Sequence, residues 1–141
     1  MALIVGDAAL RALLQRTQAI AVLGIKAGIA DDAYRVPRYL QNAGYRILPV
    51  NPGLASVLGE RAVSRLADVS HPYELLDVFR AARHLPGHVD EILALPRPPS
   101  AVWFQLGIRD DASAARLAAA GIDVVQDRCL MVEHRRLLGL A

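Results

Sequence analysis

Cysteine is nearly missing from this sequence: Cys129 stands alone among 141 residues. That excludes an internal disulfide framework and fits a reducing compartment. Lysine is as scarce, with Lys26 set against fifteen arginines, and aromatic residues make up only 5%. The arginines are scattered among fourteen acidic residues, and the net charge is +2. Nucleic-acid binders gather a basic stripe with aromatics for stacking, so nucleic acid is not an expected partner. No apolar run reaches the roughly 18 residues of a spanning helix, so a membrane is not one either. Met1 to Gln15 carries Asp7 early and has no small-residue cleavage site behind an apolar block. No secretory signal is therefore expected, and the cytoplasm is the expected location. Three motifs are absent as well. There is no G-K-[ST] of a P-loop and no G-x-S-x-G nucleophile elbow, and the fingerprint G-x-G-x-x-G fails because Lys26 takes its second glycine position.

What is present is a globular composition, 54% hydrophobic, in a length that suits one domain over 1–141. Five short apolar runs stand out: Ala19 to Leu23, Tyr45 to Val50, Leu75 to Phe79, Ala101 to Gln105 and Gly121 to Val125. Runs this short and rich in Val and Ile predict strands buried on both faces. Helical spacing fills the gaps. Val36, Tyr39, Leu40 and Ala43 stop at Gly44; Val89, Ile92, Leu93 and Leu95 stop at the Pro96-Arg97-Pro98-Pro99 break; and Asp110 or Asp111 caps an Ala-rich 112–120 segment. An opening helix over about 7–17, packed on the domain, and a last one over 130–138 complete the pattern. Strand–helix alternation predicts an α/β fold, a Rossmann-like, doubly wound, parallel five-stranded sheet in three α/β/α layers with strand order 3-2-1-4-5. Pro49 conflicts with an interior strand, and a bulge that re-aims Val50-Asn51-Pro52 toward the ligand edge is the expected resolution.

In such a sheet the ligand cleft lies beyond the carboxyl ends of the strands, where their order reverses. That brings forward Gly24-Ile25-Lys26, Asn51-Pro52, Phe79-Arg80, Gln105-Leu106-Gly107 and Asp127-Arg128-Cys129. A glycine after the first strand lets a phosphate approach the backbone, the next helix offers N–H groups, and Lys26 offers a cation. A plain tight turn with a solvated lysine is the competing reading of the same residues. A NAD site requires an acid after the second strand for the ribose hydroxyls, and Asn51 stands there instead.

The segments Ile20-Ala21-Val22-Leu23-Gly24, Val36-Pro37-Arg38-Tyr39-Leu40, Pro49-Val50-Asn51-Pro52, Asp77-Val78-Phe79-Arg80, Trp103-Phe104-Gln105-Leu106-Gly107 and Asp127-Arg128-Cys129 through Glu133-His134 together resemble the small stand-alone CoA-binding proteins. That family is similar to the CoA-binding domain of the succinyl-CoA synthetase α-subunit, and the resemblance runs over about residues 18 to 137. It implies coenzyme A or an acyl-CoA as ligand. The diphosphate would lie over Gly24, Ile25 and Lys26 and the helix start near Arg35-Val36. Asn51-Pro52 and Phe79-Arg80 would flank the adenine and phosphate end, with Gln105, Gly107 and Cys129 nearer the pantetheine. The loop reads Gly24-Ile25-Lys26-Ala27-Gly28-Ile29-Ala30-Asp31-Asp32 where the family usually carries a G-A-S turn, and Asp31 and Asp32 would repel an inward phosphate.

Sharper chemistry is weaker in the sequence. Cys129, beside Arg128 and a helix start, reads as a reactive thiol or as a small buried hydrophobe, the latter preferred. His84 and His88 are four apart, but Pro86-Gly87 between them is expected to break the helix, so no metal site is expected. Asp127, Glu133 and His134 read as an N-cap and a pair bonding back to the sheet rather than an acid–base set. No catalytic constellation is complete, and non-catalytic CoA binding is the expected function. An NAD(P)-dependent oxidoreductase and a thiol-redox protein using Cys129, through a CoA mixed disulfide, are the alternatives. Leu137-Leu138-Gly139-Leu140 suits either a contact between copies, making a homo-oligomer, or a terminal helix docked on its own sheet.

Overall fold

All five residues of Ala19–Leu23 are buried, which is what an apolar run flanked by helices on both faces requires. In the computed structural model, which describes residues 3–139, this run is strand β1. Next come β2 (Arg46–Val50), the two-residue strands β3 (Ser56–Val57) and β4 (Glu60–Arg61), β5 (Leu75–Val78), β6 (Ala101–Phe104) and β7 (Asp123–Val125). Helices α1 (Asp7–Arg16), α2 (Asp32–Asn42), α3 (Leu85–Leu93), α4 (Asp111–Ala119) and α5 (Leu130–Leu138) separate or flank them. The helices fall where the apolar periodicity predicts them, in three layers. Leu10, Leu13, Val36, Leu40 and Leu130 cover one face with Ile20, Val22 and Trp103. Leu85, Val89, Ile92, Ala114 and Leu117 cover the other with Leu76, Val78 and Phe104. Leu137 is buried in the first of these cores, and Leu138 packs against it; Leu140 lies outside the described residues.

The strand order departs from expectation. The parallel sheet runs β2-β1-β5-β6-β7, which, counting the five predicted strands along the chain, is 2-1-3-4-5 rather than 3-2-1-4-5. The reason lies between β2 and β5. There the chain folds into the β3–β4 hairpin, and a single parallel bridge sets Val63 against Val50 on the outer side of β2. The edge expected for the third long strand is thus occupied, and β5 pairs with the inner side of β1. At the opposite edge a second single bridge joins Leu3 to Val124 of β7. The reversal of strand order consequently falls between β1 and β5.

Nor is there a bulge at Pro49, because β2 keeps a regular register with β1 through Val22↔Pro49 and Leu23↔Val50. Bonds from Arg46 N–H to Gln18 O and from Gly24 N–H to Val50 O put the even-numbered residues of β2 on the β1 side. Pro49 therefore turns its nitrogen to the outer edge, where a missing donor costs no ladder bond, and its carbonyl accepts the Val63 N–H at 3.1 Å.

Pro37 lies inside α2, where it cannot bond the Ala33 carbonyl four residues back. That carbonyl accepts the Lys26 N–H instead, at 3.1 Å. A helix-breaking residue thereby docks the loop after β1 onto the helix that follows it.

At the middle of the sheet, Asp77 sits between Val22 and Trp103, fully buried, with no hydrogen-bond partner for either carboxylate oxygen. Burial raises its proton affinity well above the usual carboxyl range. The native state then holds a proton that the unfolded chain has released, so stability falls as pH rises from the ordinary Asp range toward the raised native value. Asp77→Asn is expected to remove this slope and to gain on the order of 1–3 kcal/mol at neutral pH. Urea melts of both proteins from pH 5 to 8 check it, and parallel pH profiles would refute it.

Candidate functional site

Where β1 and β5 end side by side, the backbones come very close. A Cβ on Gly24 would lie 2.6 Å from the Phe79 carbonyl oxygen and 3.1 Å from Arg80 Cδ, and Gly24 holds φ at +85°. Both facts demand glycine here, and the close approach is to the exit of the neighbouring strand rather than to a phosphate. The loop beyond it is tied down. Ile25 is fully buried, and its carbonyl accepts the Asn51 side-chain N–H at 2.6 Å. Asn51 Oδ1 in turn accepts the Gly53 N–H at 2.7 Å. Asn51 thus locks the loops after β1 and β2 together, with its amide group engaged at both ends.

Two adjoining cavities open on this edge. The first, about 440 Å³, is lined by Gly24, Asn51, Pro52 and Phe79 and by the basic side chains of Lys26, Arg65, Arg80, Arg83, His84 and His88, with Glu91 the single acid. Glu91 is engaged by His88 Nδ1 at 2.6 Å, while Arg80 Nε donates to His88 Nε2 at 3.4 Å. Arg65 pairs with Asp68 at 3.2 Å. Lys26, Arg80 and Arg83 have no carboxylate partner among the described residues, so the cleft presents unbalanced positive charge where strand order reverses. The second cavity, about 300 Å³, shares Lys26, Phe79, Arg80 and Ala81 with the first and adds Gln105, Leu106 and Cys129. Asp31 and Asp32 line this second space and not the basic one. A further cavity of about 300 Å³ lies at the amino ends of β5 and β6, lined largely by Leu66, Val69, Tyr73 and three prolines, with Arg97 and His71 its basic side chains; it lies away from the strand ends where order reverses.

Several expected site residues are therefore elsewhere. Ile25 belongs to the core. Helix α2 starts at Asp32, so Arg35 and Val36 lie within its first two turns: Val36 is fully buried, and Arg35 pairs with Asp32 at 3.2 Å on the surface. Gly107 donates its N–H to Asp127 Oδ1 at 2.7 Å and lines neither cavity. Asp127, at φ 57°, closes that turn and is not the N-cap of α5; Cys129 occupies the N-cap position. The end of α5 is satisfied by Gln105, whose Oε1 accepts the Leu130 N–H at 3.1 Å. Glu133 and His134 do not bond to the sheet. Glu133 receives Arg128 at 3.0 Å and Arg136 at 2.7 Å, and His134 Nδ1 meets the Tyr39 hydroxyl at 2.8 Å. Cys129, half-buried, packs against the core while lining the second cavity.

Pro86 and Gly87 do not break the helix carrying the histidines; they form its first turn, and the two rings stand 6.5 Å apart in a T-shaped arrangement. No group of three His, Cys, Asp or Glu side chains suited to a metal occurs among the described residues. Arg65, Arg83, His84 and His88 also line the cleft, and sequence reasoning missed them. The spacing Arg80-x-x-Arg83-His84-x-x-x-His88 carried the signal, which becomes visible once β5 lies beside β1.

Sheet order, layers and the cleft at the reversal point put the chain among the Rossmann-like α/β domains. Within that class it belongs to the CoA binding domain family, whose pattern matches residues 18–135. It is 35% identical over 127 residues to the uncharacterized protein YneT of Bacillus subtilis (strain 168), covering 90% of this chain and 93% of that one. Among solved structures, cell-free ID.343 from Thermus thermophilus is 48% identical with a TM-score of 0.89, over 94% of this chain and 99% of that chain. A hypothetical protein from Pyrococcus horikoshii OT3 is 31% identical, also with a TM-score of 0.89, over 96% and 94%.

Gly24→Ala is expected to cost on the order of 1–3 kcal/mol from positive φ and the Phe79 contact. A denaturant melt measures it, and an unchanged midpoint would show that the two strand ends can separate at no cost.

Proposed function

We propose that the chain binds coenzyme A or an acyl-CoA at the carboxyl edge of the sheet and does so without catalysing a reaction on it. The observation that carries this reading is the basic cleft at the β1/β5 reversal, joined through Phe79, Arg80 and Ala81 to a second, less basic space. A ligand with a phosphorylated nucleotide at one end and a long neutral arm at the other matches that division. The phosphates would meet Lys26, Arg80 and Arg83, and the pantetheine would run toward Gln105 and Cys129. Membership of the family supports CoA in particular. An NAD(P) reading is disfavoured because the Asn51 side chain is already bonded to Ile25 and Gly53 and no acid replaces it for the ribose hydroxyls. The reading is of a protein acting outside membranes: among the described residues no helix is long and apolar enough to cross one.

A second reading, thiol exchange at Cys129, rests on that half-buried side chain lining the second cavity. Incubation with CoA disulfide would then give a protein–CoA mixed disulfide and release one CoA thiol, detected by mass under non-reducing conditions.

CoA is expected to raise the melting temperature, while NAD(H) and NADP(H) leave it unchanged. Arg80→Gln is expected to weaken CoA roughly ten- to hundredfold through loss of a charge-assisted hydrogen bond. Thermal-shift titration checks both, and a flat response to CoA would overturn the assignment.

A further inference from the structure

We propose that His84 is the proton-linked group of the basic cleft, neutral in the unliganded protein near pH 7 and protonated when a phosphate dianion enters. The inference rests on the reading of this cleft as a phosphate site, and it adds a dependence of binding on pH.

His84 closes the 3-10 turn that follows β5 and stands at the N-cap position of α3 without a side-chain cap bond. It lines the cleft, and its imidazole forms no hydrogen bond or ion pair among the described residues. The charged groups around it come from every element bordering the cleft. Lys26 follows β1, Arg65 precedes the 3-10 turn Leu66–Asp68, Arg80 and Arg83 follow β5, and His88 and Glu91 lie on α3. The one acid lining the cleft, Glu91, is already engaged by His88. His88 cannot fill the same role without loss, because both its ring nitrogens are in use: Nδ1 faces Glu91 and Nε2 accepts from Arg80. His84 alone has both nitrogens uncommitted.

Burial, then Arg80, Arg83 and His88, hold its imidazole below the usual histidine range. A phosphomonoester reverses the sign of the field at this position. It brings about two negative charges at pH 7 and oxygen acceptors for an imidazolium N–H, and the proton comes from solvent. The phosphate itself would give the opposite signal, since a basic cleft selects its dianion and releases a proton near pH 6. The direction of proton flow therefore separates the two groups.

The test combines calorimetry and NMR on the intact chain. CoA is titrated into wild type and His84→Gln at pH 7 in buffers of differing ionisation enthalpy, and the His84 imidazole is titrated with and without CoA. Inorganic phosphate serves as the second probe. Wild type is expected to take up protons on binding, with affinity weakening by up to about tenfold per pH unit above neutrality. His84→Gln is expected to bind without that uptake and to melt, unliganded, like wild type. The His84 midpoint is expected to rise with either probe. CoA binding without proton uptake, or uptake retained in His84→Gln, overturns the proposal. If CoA fails to bind but phosphate raises the His84 midpoint, the CoA assignment falls and the role of His84 stands. If neither probe moves the midpoint, the role of His84 falls.

Discussion

The Phe79 carbonyl fills the space where residue 24 would carry a β-carbon, and the whole carboxyl edge is arranged around that contact. Because β5 lies directly against β1, its exit delivers Arg80 to the side of Lys26 and not to a remote edge. From there the chain enters a short 3-10 turn and α3, bringing Arg83, His84 and His88 round the same opening. The loops on the other side are fixed by two further bonds: Asn51 to the Ile25 carbonyl, and Lys26 N–H to the carbonyl released by Pro37. The rim of the cleft is therefore tied down at backbone carbonyls, and its basic side chains project from it.

Charge is distributed with the same economy. The net charge of the chain is +2, and several arginines are neutralised locally, as in Arg16–Asp123, Arg116–Asp90 and Arg136–Asp7. In the cleft, Lys26, Arg80 and Arg83 have no carboxylate partner among the described residues, and the single acid there, Glu91, is engaged by His88. A nearly balanced protein thereby gathers positive charge at one opening, which favours an anion there.

The strands were legible because burial on both faces writes each as a short, mostly apolar run, and the helices because each covers a sheet face from one side. The family was legible because several short segments agree along one chain. Strand order was not, since it turns on a two-residue hairpin and a single bridge at Val63, both too short to show a period. The site was legible only in outline. Gly24, Lys26, Asn51, Pro52, Phe79, Arg80, Gln105 and Cys129 do line the two cavities. Yet Asn51 and Gln105 also bind backbone groups, N-terminal capping of α5 by Gln105 being a contact across 25 residues. Arg35, Val36, Ile25 and Gly107 follow the motif in sequence but point to other tasks in space, a distinction that only tertiary packing makes.

The two single-residue bridges have a consequence for how the molecule behaves in a crowded solution. A parallel sheet leaves a row of unpaired donors and acceptors along each outer strand, and such rows template pairing between molecules. Here Val63 lies over part of the β2 edge, which Pro49 further blunts, while Leu3 and the Ile4 N–H bond to Val124 at 2.7 Å cover β7. Leu3 and Ile4 thus cover part of an edge at which a second chain could otherwise pair.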